Sequence, residues 1–240
     1  MCGKFTAMAS WRQVHDFSQP LTVSRKDPDG PPDEDVGYGA AKMLPVIVWD
    51  GEMKQRRIVS MRWGFPHAKN WRAPQPIHAR SETIDTTKAF AQAFADGQRG
   101  IVVFKTFNEG EEATTSTGKP KTIQWTIDPQ DGIPRGFAFV WRRFEIADLP
   151  QPMLACVMAT VPASKLVRTI VPREEDPRMP AILEDADWET WLGQNNAPAE
   201  RAKAVLKTME GVNWKIAPEK KSREPKPEKP KKPDPQPGLL

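Results

Sequence analysis

Cysteine is nearly missing from this chain, and the two that occur, Cys2 and Cys156, are too few for a disulfide framework. Histidine is as scarce. His15, His67 and His78 are scattered and, with two cysteines, show no ligand spacing, so neither a metal nor any other cofactor is expected. Long apolar runs are missing as well. Nothing reads as a signal peptide or as a bilayer span, so no membrane partner is expected and the cytoplasm is the default compartment. No internal repeat is visible.

A strong charge imbalance is also lacking. The formal net charge is +4, and residues 218–240 hold six Lys and one Arg against three Glu and one Asp, a balance of +3 that leaves +1 for the body. A nearly neutral body argues against broad electrostatic binding of nucleic acid but permits a local basic groove.

What is present is a globular composition on the polar side, 38% hydrophobic and 28% charged over 240 residues, enough to bury a proper core. Ser10 to Phe17 reads as a short helix with Trp11, Val14 and Phe17 on one face. Residues 26–35 are turn-formers and charges, hence a loop. Pro45 to Trp49 reads as a strand, turned by Asp50-Gly51 into a second that runs to Met61 and ends in the tight turn Arg62-Trp63-Gly64-Phe65-Pro66. Asp85 or Thr86 can cap a helix with Phe90 and Phe94 inward and Gly97 at its end. Gly100–Phe104 is a short buried strand, with further strands around Thr122–Ile127, Gly136–Val140 and Met153–Ala159. Asp187–Leu192 and Pro198–Met209 read as closing helices. Consecutive strands with few helices between them favour an α+β fold on a mainly antiparallel sheet. From Pro218, seven prolines alternate with Lys and Glu, which predicts an extended, disordered tail over 218–240 behind a body of 1–217.

Cys156 lies in the apolar run Met153-Leu154-Ala155-Cys156-Val157-Met158 and reads as a buried structural thiol. Cys2 is different. Removal of the initiator Met would leave an amine and a thiol on adjacent carbons, with ordinary pKa values of about 8 and about 8.5. Such a 1,2-aminothiol condenses with an aldehyde to an imine and can then close to a thiazolidine ring.

Cys2 does not stand alone. With Met1-Cys2-Gly3 and the Arg62–Pro66 turn come Pro76-Ile77-His78-Ala79-Arg80-Ser81-Glu82-Thr83, Phe107-Asn108-Glu109-Gly110 and Pro177-Arg178-Met179-Pro180-Ala181-Ile182-Leu183. In order and spacing over about residues 1–216 these resemble the SRAP family, the SOS response-associated peptidases regarded as abasic-site processing proteins. The resemblance implies a single SRAP-like α+β domain with a barrel-like core and flanking helices. It also implies a monomer acting on single-stranded DNA in the DNA damage response. In that family the Cys attacks the aldehyde of a ring-opened abasic site and leaves a thiazolidine DNA–protein crosslink, and autoproteolysis releases the initiator Met.

Carried over by residue, Cys2 is the nucleophile and Glu109 the acid–base group, while Arg80 and Arg178 hold phosphate with Lys4 and Arg62, and Trp63 lies against bases. The departures are several. His78 stands where the family has Asn, Asp176 where it has His, Lys4 where it has Arg, and Asn108 and Gly110 replace aromatics beside Glu109. Tyr38-Gly39-Ala40-Ala41-Lys42 lacks an Asn and a Pro, and residues 171–176 form a longer loop. One expectation is that His78 has taken over the proton shuttle and Asp176 or Glu175 tunes it; the other is decay of the site.

Each residue has a plainer reading as well. Glu109 precedes Gly110, Glu111 and Glu112 and could lie in a solvated acidic loop; Asp176 before Pro177 suits a turn; Trp63 suits a core. The chain is thus read as an enzyme of the crosslinking or lyase-like kind, with two rivals: a weakened single-stranded DNA-binding remnant, and an amidohydrolase using an N-terminal Cys.

Overall fold

The computed structural model describes residues 3–7, 21–22 and 37–219, apart from 132, 134 and 173. The helix expected over Ser10–Phe17, the loop over 26–35 and the tail beyond 219 lie outside the described residues, as does Cys2.

In chain order the strands are β1 (Lys4–Ala7), β2 (Leu21–Thr22), β3 (Gly37–Gly39), β4 (Met43–Asp50), β5 (Gln55–Trp63), β6 (Pro66–His67), β7 (Asn70–Pro74) and β8 (His78–Arg80). After helix α1 (Ala91–Ala95) come β9 (Arg99–Thr114), β10 (Pro120–Asp128), β11 (Arg135–Phe144) and β12 (Met153–Pro162). Helix α2 (Lys165–Arg168), β13 (Arg178–Pro180), β14 (Ile182–Leu183), α3 (Asp185–Leu192), α4 (Ala199–Ala204) and β15 (Lys215–Pro218) complete the described chain. The class is α+β, and none of the described helices is long and apolar enough to cross a membrane.

Five strands close on themselves. β9 pairs with β11, β11 with β12, β12 with β5, β5 with β4, and β4 returns to β9 where Ile47 faces Ile101. The ring is antiparallel except at β12–β5, where Ala155 lies beside Arg62 and Cys156 beside Trp63. Closure hides strand edges that would otherwise be left unpaired. Inside, the Phe104 and Phe137 rings stack with centroids 3.9 Å apart, and Leu44, Val46, Phe139 and Val157 are fully buried. Cys156 is among them, and burial pushes its thiol far up, so it is an inert core residue.

The long strand β9 was the least visible in the sequence. Gly100–Phe104 reads as a short apolar strand, yet the strand runs sixteen residues, through Glu109 and on to Thr114. Its polar second half is held by β1 on one side and β10 on the other, so backbone pairing extends it where hydrophobicity stops. The helix expected from Asp85 is also shorter. Residues 81–90 form turns, α1 begins at Ala91, and the Asp85 carboxylate accepts from Lys203 Nζ at 2.6 Å rather than capping a helix. Phe90 and Phe94 still face inward and Gly97 has a positive φ of 73°. Of the closing helices, α3 starts two residues before the expected Asp187, while α4 stops at Ala204, short of Met209.

Arg99 fastens the helices to the barrel. Its guanidinium, 4% exposed, donates to the Trp191 carbonyl at the end of α3 and to the Phe94 carbonyl of α1, groups a helix C-terminus leaves unsatisfied.

Candidate functional site

The N-terminal strand brings the start of the chain to Glu109. Along β1 and β9, Phe5 lies opposite Phe107 and Lys4 opposite Asn108, so the next step outward leads to Gly3 and Glu109. Cys2, one residue before Gly3 in the sequence, lies outside the described residues. β1 is anchored by Phe5, fully buried against Trp63 at 5.5 Å and Phe137 at 5.3 Å.

Glu109 is fully buried, on a strand and not in a solvated loop. Burial pushes its carboxyl pKa above the ordinary value, and the nearby Glu174 charge adds to that; the positive amino terminus and the Gly110 N–H, 3.2 Å from Oε1, pull the other way. The result is a carboxyl that burial inclines towards its protonated form.

His78 begins β8, a three-residue strand laid parallel to β12 with His78 beside Met158 and Arg80 beside Thr160. Ala79 points into the core, so His78 and Arg80 share the opposite face. The strand is positioned by Trp63. Trp63 is wholly buried, its indole N–H donates to the Ile77 carbonyl at 3.0 Å, and its ring stands 6.2 Å from the His78 imidazole. One indole therefore has Phe5 on one side and His78 on another. The close packing requires Gly64 next to it: φ is 103°, and a Cβ there would collide with Pro74 and Ile77.

This changes the part assigned to Trp63. A side chain with no exposed surface cannot lie against DNA bases; it positions β8 instead. Arg62 is reassigned for the same reason. It is 7% exposed, and its guanidinium donates to the backbone carbonyls of Trp71 and, at 2.6 Å, Arg72, so it ties down a hairpin rather than meeting phosphate.

Arg80, Arg178 and Asp176 meet where β12 has β8 on one side and β13 on the other. Thr160 is beside both Arg80 and Pro180. Arg178 is 3% exposed and grips Glu82 with two bonds of 2.6 Å, with a third to the Thr160 carbonyl at 3.0 Å. That grip holds the Glu82 carboxyl down at about 2. Asp176 lies 2.7 Å from Arg80 and 3.8 Å from Arg178. Among the described residues its ion pairs are with these two arginines, so the expected partnership with His78 gives way to an arginine pair, because guanidinium groups from two strands converge on the loop that carries it. Lys4, on the N-terminal side, pairs with Glu219.

The sequence reading passed over two groups. Glu82 sat inside a motif noted for its Arg, and the signal was the need of a second buried Arg, Arg178, for a counter-charge. The other is the β6–β7 hairpin, where half-buried Trp71 carries the Arg72 guanidinium 4.5 Å from its ring centroid and donates to Asp148 at 3.3 Å. With Lys69 and His67 it borders a groove of about 480 Å3. An aromatic beside basic residues in Asn70-Trp71-Arg72 was the available signal. A second groove, of about 730 Å3, is bordered by Glu111, Glu112 and Glu174 with Lys121, a poor seat for a polyanion.

Known proteins share this architecture. A structure from Bordetella bronchiseptica, 21% identical, matches 91% of this chain and all of its own with a TM-score of 0.71. One from Bacteroides thetaiotaomicron, 17% identical, matches 92% and 93% with a TM-score of 0.73. In sequence, the chain is 23% identical over 209 residues to the abasic site processing proteins YoqW and YobE of Bacillus subtilis, covering 86% of this chain and 86% and 88% of theirs. The profile of the SOS response associated peptidases matches residues 1–222, and the chain belongs to that family.

Proposed function

We propose that the protein processes abasic sites in single-stranded DNA by forming a thiazolidine crosslink through Cys2. The observation that carries the proposal is the fully buried Glu109, its carboxyl pKa raised, one residue past the stretch of β9 that pairs with the N-terminal strand. The names of the two Bacillus relatives point to the same lesion.

The chemistry follows from the groups. Removal of Met1, by the protein itself or by an aminopeptidase, frees the Cys2 amine. The amine adds to the aldehyde of the ring-opened sugar to give a carbinolamine. Protonated Glu109 donates to the departing hydroxyl, water leaves and an imine forms. The Cys2 sulfur then adds to the imine carbon while the thiol proton passes to the nitrogen, closing the ring with no oxidant or cofactor needed. His78, on the face next to Arg80, is the second candidate proton carrier. Arg80, exposed at the rim, is the candidate to hold a phosphate flanking the lesion, and Trp71 with Arg72 the candidate to meet a neighbouring base.

Intact-mass measurement tests this. Protein lacking Met1, mixed with an abasic single-stranded oligonucleotide, should gain the mass of the oligonucleotide less water in a heat-stable adduct. Cys2→Ala should retain at most an imine that borohydride can trap. An equally stable adduct from Cys2→Ala would sink the mechanism.

A further inference from the structure

The cations that the sequence offers to DNA are all engaged. Arg62 is spent on backbone carbonyls, Arg178 on Glu82, Lys4 on Glu219 and Arg80 on Asp176. The first two are buried. Arg80 and Asp176 are not: their side chains are 58% and 51% exposed, with 2.7 Å between them. Arg178, buried and committed to Glu82, lies 3.8 Å from the Asp176 carboxylate, so the accessible cation that this carboxylate covers is Arg80. The cluster Arg80, Arg178, Glu82 and Asp176 carries two positive and two negative charges and is neutral. Without Asp176 its charge would be +1.

We propose that Asp176 is a specificity-determining residue, occupying the exposed Arg80 guanidinium so that undamaged single strands bind weakly. The inference rests on the abasic-site reading above. Exposed ion pairs are weak and screened by salt, so a DNA phosphate can displace the carboxylate, at the cost of the pair it breaks. Every strand, damaged or not, meets that cost. Only a strand with an aldehyde recovers it, through the covalent bond to Cys2. Selectivity for the lesion thus comes from lowering the affinity shared by all strands while leaving the covalent step to retain the right one. Glu219 repeats the arrangement at Lys4.

The test measures binding of an undamaged single-stranded oligonucleotide by fluorescence anisotropy at several salt concentrations. It also measures crosslinking of an abasic oligonucleotide against excess undamaged strand. Asp176→Asn should bind the undamaged strand about threefold to tenfold more tightly at low salt, with a steeper log–log salt slope, since rising salt screens the pair that only the wild type must break. Its crosslinking should be suppressed by undamaged competitor more strongly than that of the wild type. Asp176→Glu, which keeps the charge, should stay with the wild type. Unchanged or weaker binding by Asp176→Asn, or an unchanged salt slope, would overturn the proposal, since a carboxylate that merely supported Arg80 would give that result. If the wild type crosslinks and the Asn variant fails to tighten, this inference alone falls. If the wild type neither binds nor crosslinks, the abasic-site reading falls with it.

Discussion

The stretch of β9 that carries Glu109 and the rim that carries Asp176 hold carboxylates in opposite surroundings. Glu109 has no exposed surface, and burial raises its pKa; Asp176 is half exposed and lies between two arginines. The difference is chemical. Desolvation shifts Glu109 towards the protonated form that a proton donor needs, whereas a group that yields its place to phosphate is exposed and loosely held. A single substitution on each side should therefore fail differently, one in rate and the other in affinity.

The largest effect is expected from Glu109→Gln, which should slow crosslinking by about 10²-fold to 10⁴-fold. It should not lower the melting temperature at neutral pH. A buried carboxyl with a raised folded-state pKa contributes stability below the ordinary carboxylate range and loses it as pH rises through the raised value. The amide removes that loss, so the variant's melting temperature should depend less on pH. A Gln variant that crosslinks at the wild-type rate would remove Glu109 from the mechanism.

His78→Ala comes next. If the imidazole carries protons, single-turnover crosslinking should slow by about 10²-fold. If the site's acid–base work is complete with Glu109, the rate stays at the wild-type level and His78 is a positioning group. Trp71→Ala, in the β6–β7 hairpin, should leave the maximal crosslinking rate intact and weaken DNA binding by about 1–3 kcal/mol, the usual loss for one stacked base. Binding equal to wild type would show that the hairpin lies off the DNA path.

The barrel strands were legible because β4, β11 and β12 are apolar runs bounded by turn residues, and the motif residues were legible as a set. What the sequence could not yield was burial. Arg62 and Trp63 read as DNA contacts from their place in a motif, yet β12 pairing beside β5 covers both. Glu109 was legible as the acid–base candidate, but Glu111 and Glu112 after it left a solvated loop open, and it is the pairing with Trp125 of β10 that makes it a strand residue. Asp176 could be placed near the site but was paired with His78 and not with Arg80 and Arg178, since β8 and β13 deliver their arginines from positions about a hundred residues apart in the chain. Such pairings are set by long-range register, which local patterns do not encode.

The smallest effect sharpens the contrast from the rim. Glu82 is exposed over 47% of its side chain, while its partner Arg178 is 3% exposed. Two bonds from that guanidinium hold the Glu82 carboxyl at about 2, against an ordinary value of 4.5. A depressed folded-state pKa contributes stability that is fully present above 4.5 and lost as pH falls towards about 2. Water at the exposed face of Glu82 screens the pair, so the contribution is modest. Glu82→Gln keeps an acceptor for one guanidinium N–H, and Arg178 keeps its bond to the Thr160 carbonyl, so the fold should persist. Asp50, Asp85 and Asp131 are also held below their ordinary values and give wild type and variant the same acid-side loss. The informative quantity is the difference between the two melting curves: the variant should start lower at neutral pH, and the gap should narrow between pH 4.5 and about 2. A gap that stays constant through that window would mean that the Arg178–Glu82 pair contributes by shape alone and that the rim carboxylates do not act through charge.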